Sequence, residues 1–536
     1  MATSAPKGES FHALAMPVKD ERNRHLNGAH ALIDTLVSCG VDTCFANPGT
    51  SEMHFVAALD DAPGLRVVLG LFEGVVTGAA DGYARLSEKT AATLLHLGPG
   101  MANGMANLHN ARRARVPMVN IVGDHATYHK EYDAPLNSDI EALARTFSGT
   151  TLRPTSPSEI GSAVASAVSA AISPPNSIST LVLPADVSWG TGAVSSAPIP
   201  PVLRTPVPAD VIEGVAKILR SGERCALLLG GSATNAGALE SAARVGMAVG
   251  AQVLLGTSIA RLARAGGLPP IARLNYRGAT TSRQLEGVRH LVLVDAKPPV
   301  TFFAYPGKPS DLVPDDCAVH TLSEGHNDST GALQVLAEAL GATESMSVPV
   351  IRADRPTGAL TAQAIAATVA ALLPENAVVI DEGVTSSGPI ASATAAGPRH
   401  DWLNVTGGAI GMGLPLAIGA AIAAPDRKVI GLQADGSSMY TFQALWTHAR
   451  EKLDTTTIIF NNREYRILRA ELTRVGATEG PKALDLLDLS RPDIDFVGLS
   501  TSLGVPAERA TTAEEFTAAL ERALADDGPR LVEAIL

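Results

Sequence analysis

Short apolar, β-branched runs recur along the chain and alternate with Ala-rich segments of helical character. RVVLGLFE, AATLLHLG, VPMVNIVGD and STLVLPAD lie in the first third, CALLLGG, AQVLLGT and HLVLVDA in the middle, and AVVIDEG, KVIGLQADG, TTTIIFNN and PRLVEAIL in the last. Strand-length runs separated by helices read as βαβ units, which build parallel sheets. Each run ends in a small or polar residue. Open parallel sheets bind ligands outside the carboxyl ends of their strands, so function is sought in the residues just after the runs.

A chain of 536 residues exceeds one core. Two Pro- and Ser-rich stretches, Thr191 to Asp210 and Glu344 to Gly358, resist packing as helix or central strand. The expected organisation is a flexible tail over 1–24, then domains over 25–190, 205–343 and 358–536, each a mostly parallel sheet flanked by helices. The formal charge of -12 and the absence of a basic run exclude a nucleic-acid surface. No run reaches the roughly 18 apolar residues of a membrane span, and the N-terminus lacks a secretory pattern. Four cysteines without CxxC spacing suit a reducing cytoplasm.

KVIGLQADGSS reads as strand, turn and helix. Gly436 lets backbone N–H groups approach an anion, Ser437 offers a hydroxyl, and a helix start there favours phosphate. Asp435 falls in the same place, where a bare carboxylate would repel phosphates. A divalent cation bridging the two resolves the conflict, and Mg²⁺ takes hard oxygen ligands shared with substrate phosphates. The next strand delivers Asn462, whose amide oxygen is a neutral second ligand. This pattern resembles the thiamine-diphosphate enzymes, whose signature is Gly-Asp-Gly followed some two dozen residues later by Asn-Asn. Here it stands as Ala434-Asp435-Gly436 and Asn461-Asn462. The resemblance implies thiamine diphosphate and Mg²⁺ as cofactors, with Asp435, Asn462 and the main-chain oxygen of Glu464 on the metal.

Two further segments match the same family. Glu73 follows the first-third run RVVLGLF. The resemblance implies that its carboxyl hydrogen-bonds the cofactor's pyrimidine ring and so starts removal of the thiazolium C2 proton. Leu71, Phe72, Val75 and Val76 are the expected dry walls, and Gly78, Ala79, Ala80 and Gly82 are expected to permit close helix packing. In TGGAIGMGLPLAIGAAIA, Ile410 takes the place of the bulky residue that bends the cofactor, while its N–H and the Gly408 carbonyl hold the aminopyrimidine edge. Thr385 is a further expected diphosphate contact, and Ile467 a further cofactor contact. A strict G-x-G-x-x-G is absent, which disfavours a nicotinamide site. The resemblance also implies active sites between subunits of a homodimer or homotetramer.

The substrate side resembles benzoylformate decarboxylase. NPGTSEMHF places Thr50 where that enzyme has its active-site serine, and LLHLGPGMANG places His96 on its catalytic histidine. Leu468 matches an apolar pocket residue. The second histidine of that family is here replaced by KPPVTFFAYPG, which offers Phe302 and Phe303, while His125 and His129 stand as substitutes or as residues of a solvated loop. The expectation is decarboxylation of a small-molecule 2-oxo acid with a bulky group, and carboligation as a further outcome. Acetolactate synthase-type condensation and diketone cleavage are the alternatives.

Overall fold

The computed structural model describes residues 27–344 and 348–536; the expected tail over 1–24 lies outside the described residues. The first third supplies β1 (Thr43–Ala46), β2 (Arg66–Leu69), β3 (Ala91–Leu95), β4 (Met118–Asp124), β5 (Thr150–Leu152) and β6 (Ile178–Pro184). The middle supplies β7 (Cys225–Leu229), β8 (Gln252–Leu255), β9 (Arg261–Arg264), β10 (Ala272–Arg273), β11 (His290–Val294) and β12 (Ala318–Ser323). The last supplies β13 (Ala377–Glu382), β14 (His400–Asn404), β15 (Val429–Ala434), β16 (Thr455–Asn461), β17 (Ala507–Ala510) and β18 (Arg530–Ile535).

These strands form three sheets with helices around them. The orders are β2-β1-β3-β4-β6-β5, then β10-β8-β7-β11-β12, then β17-β18-β16-β15-β13-β14-β9. The strands pair in parallel except β14 with β9, which run antiparallel with Trp402 opposite Leu262. Thus β9, from the middle of the chain, closes the edge of the C-terminal sheet. Burial on both faces explains why the central runs read as continuous apolar stretches; β3, β4, β6, β7 and β16 are buried throughout.

One core cluster spans the first and last thirds, joining Val75, Val76, Ala79 and Ala80 to Leu414, Leu416, Ala417 and Ile418. The Glu73–Ser87 helix lies against the Gly413–Ala423 helix, and small residues make the contact. A Cβ at Gly82 would stand 2.1 Å from the Leu416 carbonyl oxygen, and one at Gly419 would stand 1.9 Å from that of Ala79. Backbone meets backbone here, so an added methyl would separate the helices and cost about 1–3 kcal/mol. The Gly/Ala composition of both segments follows from that approach. Among the described residues, no helix is long and apolar enough to cross a membrane.

Candidate active site

β15 and β16 are neighbours, with Ala434 opposite Phe460, so their carboxyl ends open side by side. After β15 the chain makes a single helical turn, Asp435–Ser438. The Asp435 carboxylate is buried and accepts three backbone N–H groups: Gly436 at 2.8 Å, Asn462 at 3.0 Å and Arg463 at 2.7 Å. Arg463 takes a left-handed φ of 58° to turn the chain there. The Asn462 side-chain oxygen accepts from Glu464 N at 3.0 Å. Asp435, Asn462 and the backbone at Glu464 therefore meet at one point.

Burial pushes the Asp435 carboxyl up, against the three donors that lower it; a cation beside it would relieve that cost. The Asp435 carboxylate and the Asn462 carboxamide are hard oxygen donors of the kind Mg²⁺ takes. Among the described residues, no group of three or more His, Cys, Asp or Glu side chains stands ready for a softer metal. Ser437 Oγ accepts from Gln433 Nε2 at 2.8 Å and donates to the Ala434 carbonyl at 3.2 Å. Thr385 is exposed in the turn after β13.

The glycine-rich loop before the Gly413–Ala423 helix is held from both sides. From below, Glu382 at the end of β13 accepts from Gly411 N at 2.5 Å, Met412 N at 3.2 Å, Gly413 N at 2.5 Å and Gln433 Nε2 at 2.9 Å. A carboxylate from another strand thus caps the N-terminus of that helix, satisfying donors that have no intrahelical partner. From above, Asn110 Oδ1 accepts from Gly407 N at 3.1 Å and Ala409 N at 3.3 Å, while its Nδ2 donates to the Ala409 carbonyl at 2.8 Å. Gly408 takes φ 79°, a conformation L side chains rarely adopt, and Phe302 lies directly over it. Ile410 is half-buried in this loop.

Glu73 opens its helix and is 7% exposed, with Oε2 accepting from Asn103 Nδ2 at 3.0 Å. Of its expected walls, Val75 and Val76 turn into the core, Phe72 is half-buried and Leu71 is exposed; the helix period carries the two valines to the inner face. No hydrogen bond within the described residues joins Glu73 to Asp435 or Asn462.

His96 follows β3 at the N-cap position of the Leu97–Ala114 helix, its side chain making no capping bond. Its Nδ1 lies 2.8 Å from Glu52 Oε2, which also accepts Gly49 N at 2.7 Å. Glu52 is 1% exposed, and its Oε1 has no hydrogen-bond partner among the described residues. A carboxylate accepts, so an imidazole donating to it through Nδ1 would keep Nε2 for proton exchange. Thr50, on the same 3₁₀ turn as Glu52, is exposed beside them.

The substrate-side residues fall into two groups. Phe302 and Phe303 stack edge to face at 4.9 Å, and Tyr276 lies 5.3 Å from Phe302. Tyr305 Oη donates to Glu471 Oε2 at 2.9 Å and Tyr276 Oη lies 3.4 Å from Oε1, which ties this aromatic wall to the Arg466–Arg474 helix. That helix carries Ile467, half-buried, and Leu468, exposed. His125 and His129 sit apart from these, ring to ring at 5.4 Å after β4. His125 Nε2 is buried without a partner among the described residues, and His129 is exposed.

Glu52, Glu382, Asn103, Asn107 and Asn110 are functional candidates that the sequence reading passed over. Glu52 lay within NPGTSEMHF, and the asparagines recur at helical spacing, so a signal was present for both.

In the central sheet, strand order reverses at β7 and β11, the place where such sheets bind ligands. There Asp295 accepts Ser232 N at 2.8 Å, Ser232 Oγ at 3.0 Å and Arg115 Nη1 at 2.5 Å. The chain's own groups engage that crevice.

Comparison with known proteins gives the family. Residues 26–143 match the thiamine pyrophosphate enzyme N-terminal TPP binding domain, and residues 385–534 match the C-terminal TPP binding domain. The provisionally named acetolactate synthase large subunit IlvX of Mycobacterium tuberculosis is 55% identical over 95% of this chain and 99% of its own. Benzoylformate decarboxylase of Pseudomonas aeruginosa is 28% identical over 92% and 96%. The solved structure of a thiamine diphosphate-dependent 4-hydroxybenzoylformate decarboxylase from Rhodococcus jostii superposes with a TM-score of 0.83 at 26% identity, covering 95% of this chain and 98% of that one. With both binding domains matched and the polar groups of the two halves gathered around one glycine loop, the chain belongs to the thiamine pyrophosphate enzyme family, among the acetolactate synthases and benzoylformate decarboxylases.

Proposed function

We propose that the protein decarboxylates a 2-oxo acid bearing a bulky group, with carboligation to an aldehyde as a second outcome. The observation that carries this reading is the His96–Glu52 pair beside Thr50: a fixed imidazole with a free Nε2, suited to orient a carboxylate and to move a proton at the reacting centre. Bound thiamine diphosphate supplies a nucleophilic carbon and an electron sink. Asp435, Asn462 and the Glu464 carbonyl hold Mg²⁺; Thr385, Gly436 and Ser437 receive the diphosphate; Gly408, Ile410 and Ile467 receive the rings. Glu73 meets the pyrimidine of the partner subunit's cofactor, which makes the enzyme a homodimer or homotetramer. Phe302, Phe303 and Leu468 face the substrate's side chain, with His125 at the margin.

Carbon dioxide release is measured from benzoylformate, pyruvate and longer 2-oxo acids, with and without cofactor and Mg²⁺. An aldehyde product from a bulky acid supports the proposal. Silence across the panel with cofactor bound sinks it. The 55% identity to a chain named as an acetolactate synthase subunit favours a second reading; pyruvate consumption yielding 2-acetolactate without free aldehyde establishes that one instead.

A further inference from the structure

The Leu97–Ala114 helix carries Asn103, Asn107 and Asn110, spaced four and three residues apart. That spacing puts all three on one face. Asn103 Nδ2 donates to Glu73 Oε2 at 3.0 Å. Asn107 Nδ2 donates to the Gly74 carbonyl at 2.8 Å and lies 3.4 Å from that of Gly411. Asn110 Nδ2 reaches Asn107 Oδ1 at 3.1 Å as well as the Ala409 carbonyl, while its oxygen receives Gly407 N and Ala409 N. Asn107 and Asn110 are buried; Asn103 is exposed in the single chain.

We propose that these three asparagines are a positioning ladder, setting the Glu73 carboxylate and the loop around Ile410 from one rigid helix. The inference rests on the reading that Glu73 and that loop hold the cofactor. The chemistry favours amides in this role. An amide offers a donor and an acceptor on one planar group, so Asn110 can hold both edges of the loop. It is also neutral, so Asn103 fixes Glu73 without setting a like charge beside a group that must share a proton. Among the described residues the hydrogen bond to Glu73 falls on Oε2, which leaves Oε1 for the pyrimidine. In the proposed dimer Glu73 serves the partner's cofactor while the loop serves its own. The ladder therefore joins two active sites through one helix.

A purely structural role would leave cofactor chemistry untouched, so the test reads that chemistry directly. Deuterium exchange at C2 of the bound cofactor is followed by quenched NMR, and cofactor affinity by tryptophan fluorescence. Asn103→Leu removes the donor at an exposed position; exchange at saturating cofactor is expected to slow about tenfold, the scale of one lost hydrogen bond. Asn103→Gln restores the donor and is expected to recover most of that loss. Asn110→Asp keeps the shape and the acceptor but loses the donor, and is expected to weaken cofactor binding by about tenfold. Should Asn110→Asp not fold, Asn110→Ser carries the same measurement. The proposal is overturned if Asn103→Leu exchanges like the wild type, or if the Asn110 variant binds cofactor like the wild type. Failure of the wild type itself to bind thiamine diphosphate strikes the underlying reading instead.

Discussion

The glycine loop over Gly407–Gly413 and the Arg466–Arg474 helix flank the same site and are held by opposite means. The partners of the loop are buried: Glu382, Asn107 and Asn110 are at or below 3% exposure, as is Gln433 behind Glu382. The helix has no buried residue at all. Its ties are polar and near the surface: Glu471 to Tyr276, Tyr305 and Arg474, and Glu464 to Arg466 at 2.7 Å. Buried hydrogen bonds are electrostatically stronger and costlier to disturb than exposed ones, and exposed ion pairs contribute about 0–1 kcal/mol; within the buried set Gln433 Oε1 alone has no partner among the described residues. The side proposed to hold the cofactor is therefore the more deeply anchored, and the side proposed to meet the substrate the more loosely tied.

The largest expected effect lies on the anchored side. Glu73→Gln should keep cofactor affinity while turnover falls by at least about 100-fold, the range for losing a proton-transfer group; steady-state rates and a fluorescence titration check it. If cofactor affinity collapses as well, Glu73 belongs to the scaffold. Next, Glu382→Ala leaves three loop N–H groups and Gln433 without their carboxylate. Unfolding in urea should show a loss of about 3 kcal/mol, and cofactor affinity should fall with it.

Acid tests the same region more gently. Burial pushes His448 and His400 down to about 4 from an ordinary 6.5. His448 is locked between Thr455 Oγ1 at 2.8 Å and the Leu414 carbonyl at 2.9 Å, at the helix that follows the loop. The unfolded chain binds protons there first. Stability is therefore complete above about 6.5 and falls as pH drops toward about 4, by about 1.4 kcal/mol per pH unit for each histidine. His448→Asn should flatten that acid limb in urea unfolding repeated across pH; an unchanged slope would count against it. The smallest effect belongs to the loose side. Glu471→Gln should raise KM for the 2-oxo acid a few-fold and change stability by less than about 1 kcal/mol, with cofactor affinity unaltered. A comparable loss of cofactor affinity would erase the contrast between the two sides.

The same contrast explains what could be read from the sequence. Asp435, Asn462, Glu73 and His96 were legible because each follows an apolar run, and strand ends are where parallel sheets work. Glu382 also ends such a run, yet its partners are the N–H groups of a loop about thirty residues on, and no local pattern announces a cap supplied from another strand. The asparagine face of the Leu97–Ala114 helix was visible as spacing, but its meaning depends on a loop 300 residues away. β9, RLAR, is short and half polar, with no apolar run to mark it, so its place in the last sheet is set by tertiary pairing. β14, HDWLN, escaped for the same reason: its burial comes from neighbours rather than from its own composition.

That borrowed strand binds the fate of the middle of the chain to the end. Arg261 grips Asp401 at 3.1 Å across the antiparallel pair, and Arg264 stacks on the Trp402 ring at 4.7 Å. A protease nick in the connector near 350 would sever the peptide yet leave the two pieces clasped, so they should travel as one particle until denaturant pries the edge apart.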